Sequence, residues 1–176
     1  MTRKGCGSMA ELPTRIDPVP AEEFAFAGGN MALSLADKRY NLRGEVAALQ
    51  AFTSVPLPGK IGDVSDHKAG MAIMLGPDEW LLRGAVSGDS AGQAVSITEI
   101  TDRQITITLE GPRAAEILMS GCPLDLERMA IGRGTRTIFE TVEIVVMKRG
   151  AEQFHIEVWR SFAPWLWAAL EAVARE

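Results

Sequence analysis

One short stretch of this chain is written twice, and the duplication limits the folds open to it more than any other feature. Leu42-Arg43-Gly44, the run EVAALQAFTSV and Pro56-Leu57-Pro58 are answered by Leu109-Glu110-Gly111, PRAAEILMSGC and Pro123-Leu124-Asp125. Leu, Gly, Pro and Leu recur at a constant offset of 67. Further on, Gly76-Pro77-Asp78-Glu79-Trp80 is echoed by Gly150-Ala151-Glu152-Gln153-Phe154 at an offset of 74. A strand–helix–strand–strand unit repeated once explains both offsets if the second copy holds about seven extra residues before its hairpin. Two copies are too few for a solenoid. The pattern therefore predicts a pseudo-symmetric α+β fold, with helices packed on antiparallel sheet.

Hydrophobic period places the elements. Tyr40 and Leu42 alternate with polar neighbours over 38–43, which suits a half-buried strand. Ala48, Leu49, Phe52 and Val55 form a helical stripe that Pro56 and Pro58 stop. Residues 70–75 and 79–83 read as strands joined by the turn Gly76-Pro77-Asp78. Segment 84–99 is small and polar and reads as loop with a weak helical turn. In the second copy 105–111 is a β-branched strand, Pro112 suits the first helical position, and Gly121 suits a left-handed C-cap. Residues 137–147 and 153–159 read as one long hairpin. A final helix spans 163–175, its stripe made by Phe162, Trp165, Leu166, Ala169, Leu170 and Val173. The expected organisation is an extended or flexible arm over 1–30, with Met1 or Met9 as the start, and one domain over 31–176. Its repeat units are about 36–84 and 103–160.

Composition excludes several classes. A net charge of −5 leaves no basic stripe for neutralising phosphates, so nucleic acid is not an expected partner. No apolar run approaches the roughly 18–20 residues a membrane span needs. Cys6 and Cys122 are too few for a disulfide framework, which points to a reducing cytoplasm.

Catalytic motifs fail on context. Gly88-Asp89-Ser90-Ala91-Gly92 has the spacing of a nucleophile elbow, but no buried strand leads into it. His155 alternates with Phe154 and Ile156 on a strand, and His67 has no further ligand types beside it. Gly132-Arg133-Gly134 lacks the third glycine of a dinucleotide loop, and Gly59-Lys60 lacks the rest of a phosphate loop. The carboxylate pairs Asp63/Asp66, Asp78/Glu79 and Asp125/Glu127 sit in turns, where capping is their ordinary role. No catalytic, cofactor or metal residue is nominated. Aromatic placement is more informative: Trp159, Trp165 and Trp167 lie close together, with Trp167 roughly 130° from the centre of the stripe at the helical step of 100° per residue. A large apolar side chain on the polar side of a helix suggests a partner surface.

LGPDEWLL (75–82), TDRQITITLEGPRAAEILMSGCPLDL (101–126), GRGTRT (132–137) and FHIEVWRSFAPWLWAAL (154–170) together resemble the gamma subunits of heterotetrameric sarcosine oxidase. The similarity covers roughly residues 29–172, and its more distant relatives include the folate-binding domain of aminomethyltransferase. Lys4-Gly5-Cys6 matches a motif of an iron–sulfur-assembly relative only by chance, since it lies at the wrong end. Thr101-Asp102 replaces the Ser-His that many members carry before Arg-Gln.

The resemblance implies a non-catalytic structural subunit that binds no cofactor itself. Its complex demethylates sarcosine oxidatively to glycine and passes the one-carbon unit to tetrahydrofolate. FAD, FMN and NAD belong to the alpha and beta subunits, and zinc to delta. On this reading Glu157, Trp159, Arg160, Phe162 and Trp167 form the candidate interface, while Gly76, Pro77, Trp80, Gly111, Gly121, Cys122 and Pro123 define the fold. The alternative is a stand-alone folate-binding or aminomethyl-transferring enzyme on the same fold.

Overall fold

Two antiparallel sheets, each backed by helix, arise from the duplicated unit. The computed structural model describes residues 18–19, 23–34, 38–53, 55–68, 70–86 and 94–176. In chain order they form β1 (Glu23–Phe26), β2 (Gly29–Ser34), β3 (Arg39–Gly44), α1 (Val46–Gln50), β4 (Val64–His67), β5 (Gly70–Gly76) and β6 (Glu79–Gly84). These are followed by β7 (Val95–Glu99), β8 (Gln104–Glu110), α2 (Ala114–Met119), β9 (Arg133–Phe139), β10 (Val142–Gly150), β11 (Gln153–Trp159) and α3 (Ala163–Ala174).

One sheet runs β4-β5-β6-β3-β7 and the other β9-β10-β11-β8-β2-β1. The first five positions of the two orders correspond strand for strand. The strand that precedes each repeat completes the sheet of the other: β2 pairs with β8, and β7 pairs with β3. This exchange interlocks the halves, so neither sheet is complete without a strand from outside its own repeat.

Alternation along the strands divides the core into layers. Leu42, Ala72, Met74, Trp80 and Leu82 pack with Leu49 of α1 on one outer face. Leu109, Ile144, Val146, Phe154, Ile156 and Val158 pack with Ile117 and Leu118 of α2 and with Leu166, Trp167 and Leu170 of α3 on the other. Between the sheets lie Met71, Ile73, Leu81, Ile100, Val145 and Met147. Met71 and Val145 stand at the repeat offset, as do Ile73 and Met147, so each repeat presents the same face to its twin. The Gly44 N–H donates to the Asp78 carbonyl at 3.2 Å, and its counterpart at Gly111 donates to Glu152 at 2.9 Å.

The structure corrects several expectations. Strands β1 and β2 begin inside the segment read as an arm, because Phe24, Phe26 and Met31 supply alternating apolar positions there. Segment 84–99 is not loop throughout: Val95–Glu99 is an edge strand whose pairing to β3 overrides its polarity. Residues 137–147 are not one strand, since the chain turns at Glu140, which has a φ of +50°, and β9 and β10 flank it. Helix α1 ends at Gln50, short of Val55, and Pro112 precedes α2 by two residues.

Gly121 does not adopt a left-handed conformation. The C-cap of α2 is Ser120 in right-handed geometry, and a Cβ on Gly121 would come within 2.7 Å of the Phe139 ring. The glycine is there for close approach. Gly111 is required on both grounds, with a φ of +122° and the Gly28 carbonyl 2.2 Å from where a Cβ would sit.

Candidate functional site

The duplication brings residues together with their own counterparts. Arg39 begins β3, and its equivalent on β8 at the offset of 67 is Thr106. Arg83 on β6 and Glu157 on β11 are equivalent at the offset of 74. Arg39 Nη2 donates to Thr106 Oγ1 at 2.7 Å, and Arg83 Nη1 lies 3.5 Å from Glu157 Oε1. Residues related by a two-fold can touch only beside the axis, so the pseudo-two-fold passes through this cluster. Arg39 Nε also donates to Glu157 Oε2 at 3.0 Å, and the Thr106 hydroxyl donates to Oε1 at 2.5 Å. All four side chains are buried. Strict symmetry would set like against like here, Arg beside Arg or Glu beside Glu, and at the centre of the molecule that repulsion is prohibitive. The repeats therefore differ in charge at the axis.

Glu157 was expected at an interface, and its carboxylate is instead an interior anchor, only 1% exposed. Trp167 is likewise corrected. It is 2% exposed and packs under α3 with Ala163, Leu166, Leu170 and Ala174, whereas Trp165 is 41% exposed. The helix is apolar almost all round, so the sequence stripe does not fix its rotation. The sheet contact selects the arc through Ala163, Leu166 and Leu170, and Trp165 lies on the opposite side.

The remaining candidates cluster on the surface. Trp159 at the end of β11 and Phe162 before α3 stand with ring centroids 6.4 Å apart, and both are exposed. The Arg103 guanidinium lies 4.2 Å from the Trp159 ring centroid. Arg160 donates its backbone N–H to the Arg103 carbonyl at 2.7 Å. Trp165 leans edge-on against buried Phe139 at 6.2 Å. Trp159, Phe162 and Trp165 thus form an exposed aromatic strip at the junction of β11 and α3. A strand end running into a helix start signals such a strip, but only the helix rotation shows which tryptophan belongs to it.

The turn motifs hold the two hairpins. Gly76 and Pro77 make the β5–β6 turn, and buried Trp80 donates its indole N–H to the Pro58 carbonyl at 2.8 Å. After α2, Cys122 is a buried free thiol whose N–H donates to Leu118, and Pro123 leads the chain towards Leu126. Lys148 Nζ donates to the Leu126 and Glu127 carbonyls at 3.0 and 2.9 Å and pins this segment to the sheet.

Among the described residues no group of three or more His, Cys, Asp or Glu side chains converges on a metal geometry. His67 is exposed at the end of β4. His155 is half-buried, and burial, with Arg83 and Arg149 nearby, pushes its pKa down to about 4. The motif at 88–92, Cys6 and Lys4-Gly5-Cys6 lie outside the described residues. No helix among the described residues is long and apolar enough to cross a membrane.

No family model matches the chain. Over 125 residues it is 31% identical to the sarcosine oxidase gamma subunit of Corynebacterium sp. strain U-96, an alignment covering 62% of this chain and 59% of that protein. It thus spans about three-fifths of the length of that relative. Its fold matches a chain of heterotetrameric sarcosine oxidase from Corynebacterium sp. U-96 with a TM-score of 0.74 at 22% identity, over 92% of this chain and 97% of that one. Aminomethyltransferase T of the glycine cleavage system from Bartonella henselae matches with a TM-score of 0.57 at 17% identity, over 76% and 43%. By sequence the chain is similar to sarcosine oxidase gamma subunits, and its fold is similar to that of aminomethyltransferase.

Proposed function

We propose that the chain is a non-catalytic structural subunit of a heterotetrameric sarcosine oxidase in the cytoplasm. Its partners are the alpha, beta and delta subunits, and FAD, FMN, NAD and tetrahydrofolate are bound there. The observation that best supports this reading is the exposed aromatic strip of Trp159, Phe162 and Trp165, beside Arg103 and Arg160. Aromatic and Arg side chains are enriched among the anchors of protein interfaces. The strip falls within the FHIEVWRSFAPWLWAAL stretch that carries the family resemblance, and its chemistry suits packing against a larger subunit. In the same reading, the repeats 36–84 and 103–160 with helix α3 form one interlocked domain.

The test is co-expression with the other three subunits and affinity capture through one of them. The Trp159→Ala/Trp165→Ala variant is expected to lower capture of this chain sharply, because truncated interface anchors cost about 2 kcal/mol or more each. Capture equal to that of the wild type would remove the strip as the interface. Micromolar binding of tetrahydrofolate to the isolated chain would favour an independent folate enzyme instead.

A further inference from the structure

The two repeats part company at one mouth of the layer between the sheets. Each hairpin carries a bulge at the same place: Leu75 is the extra residue between Met74 and Gly76, and Arg149 is its equivalent between Lys148 and Gly150. A bulge redirects the side chain of its extra residue and recurs beside binding sites. In the first repeat Leu75 packs against the apolar intersheet cluster, and Leu81 is buried within it. At the equivalent positions of the second repeat stand Arg149 and His155. Two apolar residues that help seal the layer at one end are thus answered by a cation and an imidazole at the other.

There they line a cavity of about 250 Å3 with Arg83, Asp66 and His67. Its chemistry is dominated by donors. Arg149 is 16% exposed, and its partner Asp66, 2.5 Å away, is 63% exposed, so that pair is weak and easily exchanged. Arg83 reaches the cavity wall from the axial cluster, where it faces Glu157 and donates to Ser34 Oγ at 3.1 Å. His155 Nδ1 is buried and has no hydrogen-bond partner among the described residues. Buried polar nitrogens are almost always bonded, so this one is an unsatisfied donor or acceptor on a ring that lines the cavity. The histidine is neutral at pH 7 and can carry its proton on that nitrogen. One N–H, a guanidinium fork and a second guanidinium behind them match the oxygens of a small anion. The volume suits one such group with a water molecule or two, and is below that of drug-sized ligand sites.

We propose that this cavity binds a small oxyanion, a carboxylate or phosphate group, held by the Arg149 fork and the His155 ring N–H. Asp66 turns out to solvent and releases Arg149 to the anion when it enters. The site is independent of the aromatic strip and of the subunit reading.

The full chain, labelled on its imidazole nitrogens, tests this at pH 7 with inorganic phosphate and acetate titrated at constant ionic strength against chloride. A saturable shift of the His155 resonance with phosphate alone, acetate alone or both supports the site and selects the anion class. A shift that is absent, or no greater than that of chloride, overturns it. Calorimetry with the anion that binds is then repeated on two variants checked for folding by circular dichroism. Arg149→Gln is expected to weaken binding about tenfold or more, and His155→Leu, which installs the residue type of the first repeat, to abolish it. Undiminished affinity in folded Arg149→Gln overturns the proposal. If that variant does not fold, Asp66→Asn decides: removal of the competing carboxylate is expected to tighten binding several-fold, and unchanged affinity overturns the site.

Discussion

Arg39 Nε donates to Glu157 Oε2 at 3.0 Å across the layer between the two sheets, with both side chains out of contact with water. The carboxylate also accepts from Thr106 and faces Arg83, so it serves three partners contributed by both repeats. A duplicated fold buries its axis, and the residues there meet their own copies. Differentiation at that point, an Arg set against a Thr and another Arg set against a Glu, removes the like-with-like contacts that strict symmetry would impose.

Glu157→Ala is accordingly expected to cost about 3–5 kcal/mol, because it leaves two guanidiniums facing each other without the carboxylate between them. That is a large part of the stability of an ordinary domain. Urea denaturation at pH 7 measures it. A loss below about 1 kcal/mol would mean that the axial cluster is not an anchor.

The two tryptophans of α3 provide a second contrast. Trp167 fills the interface between helix and sheet, so Trp167→Ala is expected to destabilise the chain by about 3–5 kcal/mol. Trp165 stands outside that interface, and Trp165→Ala is expected to change stability by about 1 kcal/mol or less. Thermal denaturation separates them, since about 1 kcal/mol moves the midpoint by roughly 2–4 °C in a chain of this size. Equal shifts would show that the helix is rotated differently.

The repeat was legible in sequence because Gly44 and Gly111 sit at positive φ with backbone close by, where few residues fit, and Gly76 and Gly150 recur beside equivalent bulges. Strands β3, β8 and β11 follow from their own alternation, and β5 and β6 from short apolar runs either side of the Gly76-Pro77-Asp78 turn. The strand exchange was not legible. Gly29–Ser34 and Val95–Glu99 are short edge or near-edge segments whose partners lie across a repeat boundary, and no local pattern encodes a partner. Trp167 was misplaced for a related reason, since a helix apolar on most faces leaves its rotation to the sheet beneath. Arg39, Arg83 and Thr106 gave no signal as single residues. Pairing each one with its equivalent at the two offsets would have exposed the charge difference at the axis.

Acid should weaken the fold in two stages. His155 has its pKa pushed down to about 4, first by burial and then by the charges of Arg83 and Arg149, against an unfolded value near 6.5. Above pH 6.5 it is neutral in both states and contributes nothing to the difference. As the pH falls towards 4 the unfolded chain takes up a proton that the folded chain refuses, and stability drops by on the order of 2 kcal/mol once solvent screening is allowed for. Glu79 acts lower. Burial works to raise its pKa, but hydrogen bonds from Arg136 and Asn41, with the charges of Arg136 and Arg43, outweigh it and hold the value below the ordinary 4.5. Its stabilising effect is therefore present above that pH and is lost as the pH falls through the depressed folded value. Denaturation free energies measured from pH 7.5 to 3 are expected to decline from about pH 6.5 in the wild type. In His155→Leu the profile should stay level until the carboxylates begin to titrate, because only the upper window belongs to the imidazole. A variant whose profile follows the wild type between pH 6.5 and 4.5 would show that His155 is not the group that folding keeps neutral.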